Sequence, residues 1–257
     1  MKLNSDYHTH TTYSHGSGSV LDNARAGKEM GLETVAITDH GFSHPAFGMR
    51  RKKLGAMRAD CEKAQMETGL NVLLGIESNL LGESGKIDVR PSDYEKLDII
   101  LAGVHRFVYY STVKDFNKLF LSNFLCCSFK TKPAEWLVKY NTKVYIECIR
   151  KNPIDVITHT NFLVFADAAT VAKACADHGT YFEINTKKRH LSEKEWHAVF
   201  DTGVRFVINS DAHTPSRVGD ATLFDNMAMT IGFPLDRIDN IGDKHPNFRF
   251  SELKKHL

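Results

Sequence analysis

What most limits the folds open to this chain is a pattern repeated seven times. A short apolar run leads to a polar end, often carrying histidine or a carboxylate, and then to a stretch with helical punctuation. The runs lie at residues 3–7, 34–37, 72–76, 98–104, 155–157, 181–184 and 205–208. All are brief and rich in Val, Ile, Leu or aromatic residues, which suits parallel strands buried on both faces. Between them, Ser19 with Asp22 predicts a capped helix that ends near Gly31. Pro133 opens an amphipathic stretch over 134–150, an alanine-rich segment over 167–177 runs into Gly179, and Ser192 with Glu195 caps a helix to Phe200. Strand and helix alternating along one chain require a parallel sheet with helical crossovers. The 257 residues show no repeat, low-complexity tract or linker-like run. The expected architecture is therefore α/β: a distorted TIM-like (βα)7 barrel, a single domain over 1–257, unless an eighth strand escapes the pattern. An open doubly wound sheet would place a glycine-rich phosphate loop after the first strand. Here that strand runs instead into His8-Thr9-His10.

In a strand, residues i and i+2 point to the same side. His8 and His10 therefore project together, His15 follows in the next loop, and the second strand delivers His40. The third strand ends at Glu77, the fourth at His105, the fifth at His159 and the seventh at Asp211 and His213. Barrel sites are assembled from the C-terminal ends of several strands, so these nine residues are expected to converge. Gly75 and Gly103 share the parity of Glu77 and His105, which predicts open space above the barrel interior. A lone histidine at a strand end is more often a satisfied polar residue than a ligand. Seven in register have no packing explanation, and metal binding is the reading they support. Zn²⁺ takes about four ligands and other first-row ions about six, so nine donors with bridging water suit two or three divalent ions.

Composition narrows the partners. Lys+Arg number 33 against 31 Asp+Glu, a net charge of +2 that gives no bulk argument for nucleic acid or a membrane surface. Arg50-Arg51-Lys52-Lys53 reads as a solvated helix face. No run approaches the ~18 apolar residues of a membrane span. The first residues lack the apolar core of a signal peptide, so a cytoplasmic location is expected. Cys61, Cys126, Cys127, Cys148 and Cys175 form no Cys-x-x-Cys pair and are expected to be buried, reduced thiols. There is no nucleophile elbow, P-loop or dinucleotide fingerprint.

Six stretches carry a specific likeness: Tyr7-His-Thr-His10 with His15, Ile37-Thr-Asp-His-Gly41, Gly75-Ile-Glu77, Ala102-Gly-Val-His105, Ile157-Thr-His159 and Ser210-Asp-Ala-His213. In these the chain resembles the polymerase and histidinol phosphatase (PHP) superfamily, in particular its small stand-alone, YcdX-like metallophosphatases. The likeness runs from residue 7 to about 213 and fills all nine positions of the family's trinuclear site. It implies one ion on His8, His10, Glu77 and Asp211, a second on Glu77, His105 and His159, and a third on His15, His40 and His213. Glu77 would bridge the first two, and zinc, manganese or iron would serve. Thr160 stands where family members often have proline. The segment 106–132, with Phe107-Val108-Tyr109-Tyr110, looks extended and leaves substrate size and contacts in a homo-oligomer open.

The implied activity is hydrolysis of small phosphomonoesters by metal-activated hydroxide, with Asp211, His213 and Glu77 acting through the metals. A phosphomonoester carries about −1.5 to −2 charge near neutrality and calls for additional cations. Arg106, Lys187, Arg189 and Arg217 are the candidates. Arg217, just beyond two expected ligands, leads them, although each could equally be an exposed surface cation. Asp39 is expected to orient a ligand imidazole. His44 is a candidate leaving-group acid or a solvated loop residue, and Asn185 a substrate contact or a barrel hydrogen bond. His178, His190, His197, His245 and His256 are given no role. Histidinol phosphate is the nearest specific substrate. Two further readings are an amidohydrolase, whose members often carry a carboxylated mid-barrel lysine missing here, and a non-catalytic metal-binding module.

Overall fold

The computed structural model describes residues 2–256. Seven strands pair in parallel in chain order: β1 (Ser5–Thr9), β2 (Thr34–Ile37), β3 (Asn71–Asn79), β4 (Ile99–Gly103), β5 (Val156–Ile157), β6 (Tyr181–Asn185) and β7 (Phe206–Asn209). They curl into a nearly closed barrel. At the seam between β7 and β1, His10 N–H donates to the Ala212 carbonyl (2.8 Å) and Ala212 N–H to that of His8 (3.3 Å). Lower on the seam side chains replace the backbone ladder: Tyr7 N–H donates to Asn209 Oδ1 (3.0 Å) and Ser210 N–H to Asp6 Oδ1 (3.2 Å).

The surrounding helices are α1 (Val20–Glu29), α2 (Leu54–Thr68), α3 (Val113–Asp115), α4 (Asn123–Phe129), α5 (Glu135–Lys151), α6 (Ala168–His178), α7 (Glu193–Phe200), α8 (Thr222–Ile231) and α9 (Arg249–Lys254). Ser19 with Asp22, and Ser192 with Glu195, form capping boxes at α1 and α7. The extended segment is a helical excursion, in which a π-helical stretch Phe116–Ser122 joins α3 to α4. Among the described residues no helix is long and apolar enough to cross a membrane.

Strand alternation divides the apolar residues into two layers. Val35, Ile37, Leu74 and Ile76 face outward and pack beneath the helices. Ala36, Ile99, Leu101, Val156, Tyr181 and Val207 face inward and form a dry floor. Phe248, from the C-terminal segment, closes that floor from below, its ring edge-on to Tyr7 (4.8 Å) and Tyr181 (5.6 Å). Burial of one such side chain contributes about 1.5–3 kcal/mol.

One irregularity positions the site. Asp6 pairs with Val35 but Thr9 with Ile37, so β1 holds one residue more than β2 over that interval. This bulge lets adjacent residues serve one interior: Tyr7 joins the floor and His8 the layer above it. The cysteines depart from expectation. Cys61, Cys148 and Cys175 are buried free thiols, but Cys126 and Cys127 on α4 are only half-buried, because that excursion packs against the barrel along one side.

Candidate metal centre

All nine residues expected to converge do so, around Glu77. Its Oε1 lies 3.3 Å from His8 Nε2 and 2.7 Å from His159 Nε2. Its Oε2 lies 2.9 Å from His40 Nδ1, 3.2 Å from His105 Nε2 and 3.7 Å from His10 Nε2. Asp211 Oδ1 joins from β7, 3.4 Å from His10 Nε2 and 3.3 Å from His213 Nδ1. The His15 ring completes the group, 4.6 Å from that of His40 and 4.4 Å from that of His213. Two contributors sit on left-handed backbone, His159 at φ 24° and Asp211 at φ 49°, a strain typical of functional positions. The turn at His159 lets consecutive residues reach one carboxylate, since Thr158 Oγ1 also donates to Glu77 Oε1 (2.9 Å).

The donor set fits divalent cations. His8 Nε2, His10 Nε2, His105 Nε2 and Glu77 Oε2 are buried without a well-formed hydrogen bond, an arrangement that is costly unless another partner takes those atoms. Four overlapping trios hold ligand atoms within 4.8 Å of one another: His8/His10/Glu77, His8/His159/Asp211, His40/Glu77/His105 and His10/His40/His213. His8/His10/Glu77 falls within the first group implied by the family likeness, whereas the other three trios cross the implied groups.

For three of the imidazoles and both carboxylates charge balance points the same way. Burial pushes down the basicity of His10, with His40 beside it adding to the effect. Burial likewise brings His15 to about 4, helped by His213, and His40 to about 3. These three imidazoles are neutral at pH 7, the form that ligates metal. Burial opposes ionisation of Glu77 and Asp211 too, but the surrounding histidines outweigh it and hold both well below the usual carboxylate range. For His8 burial acts downward, and Glu77, Glu183 and Asp211 together overcome it and raise the ring well above its ordinary value.

Three supporting residues carry little or no signal in the one-dimensional pattern. Glu183, at the end of the one strand lacking histidine, accepts His8 Nδ1–H at Oε1 (2.7 Å) and His159 N–H at Oε2 (2.7 Å). Asn79 Oδ1 accepts His105 Nδ1–H (2.8 Å). In each case the other ring nitrogen is left facing the centre. His190 packs its ring 5.9 Å from that of His159. The period-two alternation of β6 places Glu183 inward and was the one available clue.

Other expectations are revised. Asp39 touches no ligand imidazole; it accepts from Thr11 N–H (2.8 Å), Thr11 Oγ1 (2.5 Å) and Ser14 Oγ, and so fixes the loop that carries His15. Burial raises its carboxyl to about 6. The glycines leave no open space, because their neighbours fill it. A Cβ on Gly75 would lie 2.5 Å from Ile99 Cγ2, and one on Gly103 2.3 Å from Thr158 Oγ1. Asn185 makes barrel contacts, donating to Glu183 Oε2 (3.1 Å) and Asp211 Oδ2 (3.3 Å). His44 Nδ1 accepts Phe47 N–H (2.9 Å) in a tight loop. Arg51 of the basic run is tied to Asp93 (3.0 Å) and covers the Phe42 ring.

A cavity of about 240 Å³ opens over the cluster, with Lys187 and Arg106 in its wall. Lys187 Nζ donates to His213 Nδ1 (2.9 Å) and Asp211 Oδ1 (3.2 Å). Arg106 has Nε and one terminal nitrogen buried without a hydrogen bond, and its guanidinium lies 5.2 Å over the Phe124 ring. Arg217 and Arg189 lie outside the wall of this cavity. Arg217 pairs with Asp220 (3.0 Å) and donates to the Thr186 carbonyl (3.2 Å). Arg189 donates to that of Leu191 (3.0 Å) and lines a separate small crevice.

Residues 6–187 match the PHP domain. The chain belongs to the PHP domain family. Among relatives of this PHP protein, one named probable phosphatase, from Caldanaerobacter subterraneus subsp. tengcongensis, is 31% identical over 85% of this chain and 80% of its own. Another of that name, from Shewanella piezotolerans, is 30% identical over 93% and 90%. The fold recurs in a candidate histidinol phosphatase from Listeria monocytogenes, with TM-score 0.61 and 13% identity over 84% of this chain and 97% of that one. It recurs also in the histidinol phosphate phosphatase of Lactococcus lactis, solved with zinc, L-histidinol and phosphate, with TM-score 0.57 and 11% identity over 90% and 93%.

Proposed function

We propose that this PHP protein is a metal-dependent phosphatase that hydrolyses small phosphomonoesters. The observation that carries the reading is the set of buried, unsatisfied imidazole and carboxylate atoms beneath a cavity with two cations in its wall. His8, His10, His15, His40, Glu77, His105, His159, Asp211 and His213 would hold two or three divalent ions, with Glu77 shared between them. Divalent ions, when bound, acidify water near neutral pH and offset charge on phosphoryl oxygens. The protein's own groups do the rest. Glu183 Oε1 and Asn79 Oδ1 keep the Nδ1 protons of His8 and His105, so their Nε2 atoms are turned toward Glu77 and would be free to hold an ion. Lys187 receives the dianionic phosphoryl group as a point charge, and Arg106 adds its positive charge from the cavity wall. Arg217 and Arg189 are left with structural contacts. The cavity of about 240 Å³ suits a small phosphomonoester.

The test pairs elemental analysis with phosphate release from a broad monoester panel on one preparation. Bound zinc, manganese or iron with turnover that Asp211→Ala abolishes is expected. Absence of phosphate release with every metal, or an unaffected Asp211→Ala variant, overturns the reading. Turnover of lactams or carboxyl esters instead would indicate an amidohydrolase. Metal-dependent stability with no turnover would indicate a non-catalytic module.

A further inference from the structure

Above the polar floor the outer wall of the cavity is aromatic. Phe47 comes from the loop after β2, Phe107 from the loop after β4 and Phe162 from the loop after β5. Phe47 and Phe107 are 49% and 59% exposed, so their rings are free to meet a molecule in the cavity they line. Both are nonetheless fixed. The Phe47 ring packs 5.0 Å from the rings of both His15 and His44, and its N–H is held by His44 Nδ1. Phe107 adopts a left-handed φ of 58° with its ring 4.9 Å from Phe120. Backbone strain of this kind in a non-glycine residue gathers at ligand clamps. Phe162 is set back, 5.3 Å from the ring of His159 and 5.2 Å from that of His190.

We propose that Phe47 and Phe107 form a clamp that selects phosphomonoesters whose alcohol carries a flat, uncharged ring, with Phe162 as the rear wall. The proposal rests on the phosphatase reading and adds the substrate class to it. With the phosphoryl group over the metal-ligand cluster, the alcohol portion meets these rings in the outer wall, beside His44. A volume of about 240 Å³ takes one ring and a phosphoryl group. Arg106 and Lys187 in the same wall disfavour a cationic alcohol. Ring-on-ring contact is directional in a way aliphatic contact is not, and adds up to about tenfold in affinity beyond area burial.

The probes are benzylphosphonate, cyclohexylmethylphosphonate and methylphosphonate, titrated calorimetrically into the full chain as purified with its metal. The same protein is assayed on benzyl and ethyl phosphate. Benzylphosphonate is expected to bind about tenfold or more tighter than methylphosphonate and clearly tighter than the puckered cyclohexyl analogue. In the Phe47→Leu/Phe107→Leu double variant, which keeps apolar bulk without the rings, the benzyl-to-cyclohexylmethyl ratio is expected to fall to within about twofold of one. Equal binding of the two cyclic probes by the natural chain, or an unmoved ratio in the double variant, overturns the clamp. Turnover without ring preference removes the clamp and keeps the phosphatase. Ring preference without turnover of any monoester does the reverse, and failure of all three probes to bind overturns both.

Discussion

Which nitrogen of an imidazole faces the centre is decided by side chains that are not themselves donors to it. Glu183 holds His8 from a position 175 residues away in the chain, and Asn79 holds His105. Removing such a partner typically lowers metal affinity or activity by about 10–100-fold. Glu183→Gln is expected to show a loss in that range, read as metal retained after dialysis and as kcat/KM, with circular dichroism unchanged. Full metal retention by Glu183→Gln would contradict the orienting role. The nine donors were legible because histidine at successive strand ends has no packing rationale, and strand parity aims them. Glu183 and Asn79 were not, since glutamate and asparagine at strand ends are ordinary and their partners are fixed only when the barrel closes. Asp39 shows the same gap from the other side: adjacency to His40 suggested a contact that the fold spends on Thr11 and Ser14.

Strands and helices were readable from apolar runs and caps, but offsets between strands were not. The bulge in β1 is a property of its pairing with β2, and nothing within residues 5–9 announces it. Likewise Gly103 looked like spare volume, whereas its missing side chain is what lets β5 bring Thr158 and His159 up to Glu77. Gly103→Ala would press its methyl group into the Thr158 hydroxyl. Overpacking of this kind destabilises by about 1–3 kcal/mol. A lower denaturant midpoint together with reduced metal content is expected, and a variant matching the natural chain in both would disprove the contact's importance. The link between β4, β5 and α9 supplies a pH test. Asp155 accepts Ile100 N–H (2.9 Å) and Phe250 N–H (2.7 Å), and burial pushes its carboxyl up to about 7. Between its ordinary value near 3.8 and about 7 the folded chain keeps a proton that the unfolded chain releases. This group's contribution is therefore complete below that window, declines by at most ~1.4 kcal/mol per pH unit across it, and is flat above. Asp155→Asn should remove that component from a plot of unfolding free energy against pH, and an identical slope in the variant would refute it.

The nine cluster residues come from the ends of six of the seven strands and the loop after β1, so under the proposed function metal occupancy and barrel integrity are one equilibrium. Anything that binds only the folded form raises its stability by mass action. Chelation is expected to lower Tm by several degrees, with recovery on returning the metal; a Tm indifferent to chelator would separate the cluster from the fold. The barrel class was legible because only a parallel sheet accommodates seven such alternations. How its lower end is sealed was not, because residues 239–250 follow the last strand with no pattern of their own. Asn240 donates to the Ser5 and Ile208 carbonyls, Asp239 accepts from the Tyr181 hydroxyl, and Phe248 fills the floor.

That seal has a consequence for the order of events during synthesis. A ribosome that has just passed His213 has made every imidazole and carboxylate of the cluster, yet the segment that seals the base of the barrel is still to come. Until residues 239–250 emerge and tuck under, the interior rings of Tyr7 and Tyr181 remain wet. The nascent chain thus completes its interior only once its own tail is in place.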